Sequence, residues 1–309
     1  MQKDILRNIQ YFQIFSYFPN FLQLHTFFPN KISEKKLKKN IDLLVQLKKL
    51  HFEAGLYTGE EYDKQSQNLS HYARYQTVSG FVRDKKLKSK MEKQKERGEI
   101  TKNKVERISK FINLLAKIPQ IQLIGLSGSA AMYNTAKKDD VDLFVISSSN
   151  RIWTARLYSL ILALLFGLRR RRIELNPGNK ICLNLFFDEK DMEIPKSKKN
   201  YFIAHEIIQM KPLIIKNNIY FRFLQSNKWV FDVFPNARYL LDKSIKKSFV
   251  SIKHTKTGDW LEKILKNMQL WLINRHKTTE IITDTQLWFF PDDFEKKLPA
   301  WARKKYNIK

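Results

Sequence analysis

Cysteine is almost absent from this 309-residue sequence, which contains only Cys182. A single cysteine excludes an intramolecular disulfide and any zinc or iron–sulfur site that needs several cysteines. Such usage is typical of a reducing compartment, and we expect the protein to be cytoplasmic. The first residues also lack the long apolar core and the small-residue cleavage site of a secretory signal.

Glycine and proline are scarce as well, with nine of each, about half of their usual share. The sequence therefore argues against collagen-like, loop-rich and sandwich-like chains, and we expect helices to predominate. Long apolar runs are missing too, because the most apolar stretch, residues 157–168, has about half of the length that a bilayer crossing needs. We therefore expect no integral membrane segment. The arginines at 169–172 are interpreted as cations that suit the C-terminal dipole of a buried helix.

Negative charge is in short supply, since 57 Lys and Arg residues face 30 Asp and Glu residues, a net charge of +27 at pH 7. Hydrophobic residues make up 43% and aromatic residues 13%, which argues against disorder despite the charge. The length predicts about two domains at about 150 residues each. The strong positive charge favours a polyanionic partner.

The first 60 residues resemble a winged helix, a variant of the helix-turn-helix. Two short helices are predicted before Ser33, a suitable N-cap, and a third after it. Residues 50–58 then predict a hairpin. Near the start of the third helix, where a recognition helix would meet phosphates, four lysines occur: Lys35, Lys36, Lys38 and Lys39. Nucleic acid is therefore a candidate partner of this module and of the basic helices, although such modules also bind proteins or neighbouring domains.

Composition and periodicity predict an α+β protein in which most of the remaining chain is helical. The charged stretch after the first module has interruptions expected at Gly80 and Gly98. Helical patterns around Trp229, Trp260 and Trp271 predict that these aromatic residues pack between helices. The chain then divides into a winged-helix-like domain (1–60), a basic helical connector (61–118), a mixed α/β core (119–199) and a helical C-terminal region (200–309).

Two carboxylates begin a predicted strand at residues 140–146. Asp140 and Asp142 lie on the same face of that strand, because side chains alternate between its two faces. Carboxylates this close repel each other unless a cation lies between them, and Mg²⁺ prefers such oxygen ligands. Upstream, Gly128 and Ser129 lie between another apolar strand, Ile121–Leu126, and a short helix. Glycine permits a tight turn there, and the helix start with the serine hydroxyl can hold a phosphate.

The strand, the Gly-Ser turn, the short helix and the Asp-x-Asp strand resemble the nucleotidyltransferase superfamily of DNA polymerase beta. The match covers a little under a quarter of the chain, from Ile121 to about Asp188. The whole chain is similar to bacterial proteins that join an N-terminal winged helix to such a domain, a similarity supported by the phrases YFQIFSYFP, NKICLNLFF and YFIAHEIIQMKPL. The resemblance implies that residues 119–199 are a nucleotidyltransferase core with a mixed sheet.

The resemblance also implies an activity, which is the Mg²⁺-dependent transfer of a nucleotidyl group from a nucleoside triphosphate (NTP) to an acceptor hydroxyl. Asp140 and Asp142 would hold one or two Mg²⁺ ions, while Gly128 and Ser129 would bind the β- and γ-phosphates. Arg151, which follows the acidic strand, is a further candidate for contact with the triphosphate.

One departure from the superfamily concerns the third carboxylate, which a later strand usually supplies. Here that strand offers Cys182 and Asn184 instead, so Asn184 is a candidate neutral oxygen ligand at the catalytic site. Other acids considered as substitutes are Glu174, Asp188 and Glu189. The alternative is a catalytically degenerate fold that acts as a nucleic-acid-binding or regulatory protein. The sequence does not determine the acceptor, the NTP or the oligomeric state.

A second possible metal motif is incomplete. His205 and Glu206 resemble the start of a metalloprotease helix, but Gln209 stands where the second histidine is required. We expect these residues on a helix surface or behind a site rather than in a zinc centre.

Overall fold

The structure, a computed structural model, describes residues 1–59, 80–170, 177–241, 255–275, 279–289, 298 and 300–306. These residues form two compact units, Met1–Glu96 with Trp229–Tyr239 and Arg97–Lys228 with Leu240–Lys309. A mixed six-stranded sheet and numerous helices confirm the α+β class. Across these ranges, every helix is too short or too polar to cross a bilayer.

Helices and strands follow one another along the chain. The helices of the described residues are α1 (Gln2–Ile14), α2 (Phe21–Thr26), α3 (Glu34–Gln46), α4 (Gly80–Arg107), α5 (Ser109–Ala116), α6 (Gly128–Ala131), α7 (Ile152–Leu165), α8 (Tyr201–Gln209), α9 (Ile219–Ser226), α10 (Val230–Val233), α11 (Lys256–Asn274) and α12 (Ala300–Lys305). The strands are β1 (Leu50–Glu53), β2 (Leu56–Gly59), β3 (Ile121–Leu126), β4 (Val141–Ser147), β5 (Ile181–Asp188), β6 (Lys211–Ile215), β7 (Ile281–Ile282) and β8 (Gln286–Trp288).

The first unit contains three helices followed by an antiparallel hairpin, β1–β2. The Ser33 side chain caps α3 by accepting the N–H of Lys36 at 3.4 Å, as the sequence predicts. The hairpin turns at Ala54 and Gly55, which both have positive φ. The unit is held together by apolar residues that the helices bury: Ile5, Ile9, Phe12, Leu24, Leu37, Ile41 and Leu44.

The break expected at Gly98 is wrong, because α4 runs through it without interruption. A glycine inside a helix costs about 1 kcal/mol relative to alanine, and side chains one and two turns further along attach this helix to the loop before β4. Thr101 is buried and hydrogen-bonds the Thr135 hydroxyl at 2.8 Å, and the Lys104 ammonium donates to the Ala136 carbonyl at 2.7 Å. Residues 61–79 of the predicted connector lie outside the described residues.

The second unit is built on a sheet with the strand order β6-β3-β4-β5-β8-β7. β4 and β5 are parallel, and every other pair in this sheet is antiparallel. β3, β4 and β5 confirm the three strands that the sequence predicts. The C-terminal region, which the sequence predicts to be helical, also contains β6, β7 and β8, and these strands join the sheet. These strands have two to five residues, and β6 contains Pro212 at the sheet edge, where proline is tolerated.

Several apolar residues are more exposed than their helical spacing predicts. Trp260 and Trp271 of α11 are 66% and 58% exposed, while Leu164 and Leu165 of α7 are 60% and 76% exposed. The prediction that these tryptophans pack between helices is therefore wrong, as is that of a fully buried helix at residues 157–168. Periodicity failed on α11 because its buried positions include two polar residues that bind α7, namely Glu262 and Gln269.

Glu262 joins α11 to the start of α7. Its carboxylate accepts the N–H groups of Trp153 at 2.7 Å and Thr154 at 3.0 Å, and it also accepts the Thr154 hydroxyl. The first N–H groups of a helix have no partner within the helix. A carboxylate from the neighbouring helix therefore satisfies them here.

We expect Glu262→Ala to lower the free energy of unfolding by about 1–3 kcal/mol, because it leaves buried donors without an acceptor. Urea unfolding followed by circular dichroism measures this loss. Lys263→Ala, at the exposed next position of α11, is the control and should change stability by less than about 0.5 kcal/mol. Equal losses in the two variants would contradict the capping role.

Candidate functional site

The site begins at the turn between β3 and α6. Gly128 has a φ of +57°, and a Cβ atom added there would lie 3.0 Å from Oδ2 of Asp142. Both the backbone conformation and the nearby carboxylate therefore favour glycine. The Ser127 N–H also donates to the Asp142 carbonyl at 3.1 Å, so the turn is attached to the start of β4. Ser129 follows in α6 and is half-buried.

The two acidic residues lie where the alternation of strand side chains predicts. One ligand atom each of Asp140, Asp142 and Cys182 lies within 4.8 Å of the others. Cys182 joins them because β4 and β5 are parallel and pair Asp142 with Cys182. The expected common face of Asp140 and Asp142 is confirmed.

Asn184 reaches the same carboxylate through an irregularity in β5. Leu143 pairs with Leu183 while the next residue, Phe144, pairs with Leu185, so Asn184 is an extra residue, and bulges of this kind redirect side chains. The Asn184 Nδ2 donates to Oδ1 of Asp142 at 2.9 Å. Its own Oδ1 is buried and has no hydrogen-bond partner among the described residues.

Arg170 supplies a cation that the sequence analysis did not assign to the site. Its Nη1 lies 2.8 Å from Oδ2 of Asp140. The signal that could have found it is topological. A crossover from β4 through α7 to a parallel β5 returns the chain to the end of the sheet where β4 starts, so residues just before β5 must lie near Asp140. Arg171 and Arg172 lie outside the described residues.

The carboxyl of Asp142 is in an environment that opposes its ionisation. Burial raises its pKa to about 8, with further contributions from the charges of Asp140 and Glu206, while Arg170 lowers it in part. Burial, followed by these two aspartates, also raises the pKa of the Cys182 thiol. Cys182 therefore stays protonated at neutral pH, which makes it neither a thiolate nucleophile nor a suitable ligand for a hard cation.

Glu206 lies against the Gly128 turn. Its Oε2 accepts the Gly128 N–H at 3.2 Å, and Gln209, one turn along α8, hydrogen-bonds the other carboxylate oxygen. Burial raises the pKa of Glu206 to about 7, whereas these two hydrogen bonds lower it. The backbone N–H that the resemblance assigns to a phosphate is thus bound to a carboxylate in this structure. The neighbouring His205 is buried, and burial lowers its pKa to about 3.

The loop before Asp140 is held by α4. The Lys104 ammonium donates to the carbonyls of Ala136 at 2.7 Å and Lys137 at 3.1 Å, and also to that of Asp139. Oδ2 of Asp139 accepts the Ala136 N–H at 2.8 Å. Asp139 is therefore a turn residue, whereas Asp140 and Asp142 point to the site.

Arg151 is not brought to this site. Its guanidinium donates to Oδ1 of Asp259 at 2.7 Å and to the Asn150 carbonyl at 2.6 Å. It follows the last residue of β4, whereas Asp140 precedes the first. Seven residues of strand at about 3.3 Å each separate the two ends by roughly 20 Å.

Two of the three acids that could substitute for a third carboxylate, Asp188 and Glu189, also lie at the end of β4 that is remote from Asp140. Asp188 accepts the Asn150 N–H at 2.6 Å, and Glu189 accepts the Ser149 N–H at 3.0 Å. Both therefore stabilise the turn after β4 and do not reach the acidic pair. Glu174 lies outside the described residues.

A second cation, Lys211, was also missed by the sequence analysis. It pairs with Leu126 across β3 and β6, so it lies beside the point where the Gly128 turn begins. Its ammonium sits 4.1 Å from the centroid of the Tyr133 ring, and burial lowers its pKa. The charges that act on Asp142 are those of Asp140, Glu206 and Arg170, so the site combines a carboxylate pair, a buried amide and a glycine turn with the Arg170 cation, and Lys211 lies at its edge.

These donors fit a hard divalent cation. The carboxylates of Asp140 and Asp142 are oxygen ligands of the kind that Mg²⁺ prefers, and the unpartnered Oδ1 of Asn184 adds a neutral oxygen. Cys182 does not fit, because a protonated thiol is a poor ligand for Mg²⁺. A cation would also offset the repulsion between the two aspartates.

The raised pKa of Asp142 makes stability depend on pH. Between its ordinary value of 3.8 and about 8, Asp142 binds a proton in the folded state but not in the unfolded state. Its contribution to stability is therefore complete below the lower value and is lost as the pH rises to the upper one. We expect Asp142→Asn, which cannot ionise, to gain stability relative to wild type as the pH rises from 5 to 8.

Urea unfolding at pH 5, 6, 7 and 8 without divalent ions measures this difference. Asp284→Asn is the matched control, because the Asp284 side chain is 78% exposed, and its difference from wild type should not depend on pH. A difference for Asp142→Asn that stays constant over this range would contradict the environment described for Asp142.

Comparisons with known proteins identify no relative of this chain. No protein-family model matches it, and neither does any curated protein or solved structure. Its function must therefore be argued from the side chains that meet at the Gly128 turn.

Proposed function

We propose that this protein is a Mg²⁺-dependent nucleotidyltransferase that moves a nucleotidyl group from an NTP to an acceptor hydroxyl. The observation that carries the proposal is the contact between the Gly128 turn and Asp142, whose carboxylate lies beside that of Asp140. A glycine turn that leads into a helix suits phosphates, and a carboxylate pair suits the cation that accompanies them. The order of these elements along the chain supports the resemblance to the polymerase beta superfamily, and the single cysteine suits a cytoplasmic location.

Asp140, Asp142 and the amide oxygen of Asn184 would hold the metal. When bound, Mg²⁺ would polarise the phosphates and lower the pKa of the attacking hydroxyl. The Asn184 Nδ2 holds Oδ1 of Asp142 at 2.9 Å, which fixes the rotamer of this carboxylate and leaves Oδ2 beside Gly128. Asn184 therefore orients a metal ligand in addition to offering an oxygen itself.

Arg170 is the cation best placed to meet the triphosphate beside Gly128 and Ser129. Arg170 contacts Asp140 directly, and a guanidinium binds phosphate oxygens in a bidentate manner. Arg151 is excluded from this role, because it pairs with Asp259 at the other end of β4. In the reaction, the acceptor oxygen bonds to the α-phosphorus and the bond from that phosphorus to the bridging oxygen breaks. Pyrophosphate leaves with the electron pair, and the hydroxyl proton passes to solvent.

We expect Asp142→Asn to abolish Mg²⁺-dependent transfer, because the neutral amide weakens metal binding. Radiolabelled NTPs incubated with the protein and fractions of a whole-cell extract reveal which acceptor takes up the label. Asp284→Asn makes the same substitution at an exposed position and should transfer label as wild type does. Transfer by Asp142→Asn at the wild-type rate would refute the assignment.

Thermal melting provides a test that needs no acceptor. An NTP at about 100 times its dissociation constant should stabilise the protein by about 2.7 kcal/mol, and we expect this gain only when Mg²⁺ is present. Asp142→Asn should lose the Mg²⁺-dependent part of the shift. The absence of a shift with any of the four NTPs would count against the enzyme.

A second candidate function is nucleic-acid binding by the first unit, which is also the role expected if the transferase fold is degenerate. The observation that favours it is the set of exposed lysines on α3: Lys35, Lys36, Lys38 and Lys39. They lie on the helix before the β1–β2 hairpin, in the element order of a winged helix. Lys38 is held by Asp42 on the same helix, so the other three are better candidates for phosphate contact.

If this surface binds duplex DNA, log affinity should fall linearly with log salt, by about 0.9 for each phosphate contact. Replacing Lys35, Lys36 and Lys39 with alanine should then reduce the slope by about 2 to 3. The control replaces three exposed lysines of the second unit, Lys110, Lys117 and Lys228, and removes the same charge. Equal reductions in both triple variants would show that only net charge matters and would exclude a specific role for α3.

A further inference from the structure

Glu206 is a third carboxylate beside the proposed metal site, and it comes from α8 rather than from the strands. Its Oε2 is 3.2 Å from the Gly128 nitrogen, and Oδ2 of Asp142 would be 3.0 Å from a Cβ on the same glycine. The charges of both Glu206 and Asp140 act on Asp142. Three acidic side chains therefore surround one turn of backbone.

In the fully ionised form, which metal binding requires, the charges of these groups do not balance. Asp140, Asp142 and Glu206 carry three negative charges when ionised, and within the described part of the chain the salt bridge they form is that of Arg170 with Asp140. The remainder of two negative charges equals the charge of one divalent cation. Lys104 does not neutralise it by direct contact, because its ammonium binds the carbonyls of the preceding loop.

Asn184 provides an independent observation that points to a ligand. It is 5% exposed, its amide contacts Asp142, and its Oδ1 has no partner among the described residues. A buried acceptor left without a partner costs about 1–3 kcal/mol. A cation bound at Asp142 would give the Asn184 Oδ1 a partner. An ionised carboxylate would not, because it has no donor.

We propose that Glu206 takes part in binding the divalent cation of this site by accepting hydrogen bonds from water molecules on the metal, and that the Gly128 N–H holds it in position. Glu206 is not among the residues whose ligand atoms lie within 4.8 Å of one another, so contact through water is favoured over direct ligation. Mg²⁺ usually retains several water ligands, and residues that bind such ligands contribute strongly to affinity. This inference rests on the proposed function.

Metal binding is measured directly by titrating the full-length protein with Mn²⁺ and following free Mn²⁺ by electron paramagnetic resonance. Glu206→Gln keeps an oxygen for the Gly128 N–H but removes the charge, and we expect it to weaken Mn²⁺ binding by about 10–100-fold. Glu206→Asp keeps the charge and should retain more affinity than Glu206→Gln. Glu193→Gln is the matched control, because Glu193 is exposed and pairs with Lys199, and it should bind as wild type does.

Circular dichroism of each variant establishes that it is folded before binding is compared. If Glu206→Gln binds Mn²⁺ within twofold of wild type, the inference is wrong. If Glu206→Gln in addition binds pyrophosphate more tightly without metal, Glu206 instead competes with phosphate for the Gly128 N–H.

The nucleotidyltransferase activity and the role of Glu206 can be refuted independently of each other. Weaker Mn²⁺ binding by Glu206→Gln, together with no nucleotidyl transfer by wild type, would support the role of Glu206 and refute the activity. Transfer by wild type with equal Mn²⁺ binding in both proteins would support the activity and refute the role of Glu206. A wild-type protein that binds no Mn²⁺ would refute both.

Discussion

The antiparallel pairing of β3 with β4 is the constraint on which the site depends. Because Leu126 pairs with Leu143, the chain that leaves β3 must turn beside the start of β4, where Asp140 and Asp142 lie. The Ser127 N–H binds the carbonyl of Asp142 at 3.1 Å, so the turn and the acidic strand cannot move independently. The other groups of the site, including Asn184 and Glu206, contact either the Gly128 turn or Asp142.

Maintaining three carboxylates around one turn is electrostatically unfavourable, and the core of the second unit must offset this cost. Burial is the largest cause of the raised pKa values of Asp142 and Glu206, so the ionised forms are destabilised more by lost hydration than by repulsion. Apart from Asp142 and Ser147, the strand that carries Asp142 is apolar and buried, with Leu143, Val145 and Ile146 in the core. The net charge of +27 does not remove this local problem, because charges further than about 10 Å away are screened by salt.

Local sequence patterns were sufficient for β3, β4 and β5 and for the acidic pair, because these features depend on neighbours along the chain. Alternation placed Asp140 and Asp142 on one face, and the small residues after β3 indicated the Gly128 turn. Arg170 and Glu206 could not be assigned in this way, since their positions depend on which strands pair and on where α8 returns to the sheet. The same reasoning explains the error at Arg151, which is close to Asp142 in sequence but follows the opposite end of the strand.

The neutral Asn184 on β5 and the acidic Glu206 on α8 have complementary roles at the site. Asn184 occupies a bulge and uses its NH₂ group to hold Asp142, a contact that an ionised aspartate, which has no donor, cannot make. The third carboxylate near Asp142 belongs to Glu206, which is fixed by a backbone N–H and by Gln209. Charge and orientation, which one carboxylate on β5 would have to combine, are thus divided between two elements, and under the proposed function the acidity of the site does not depend on β5 being acidic.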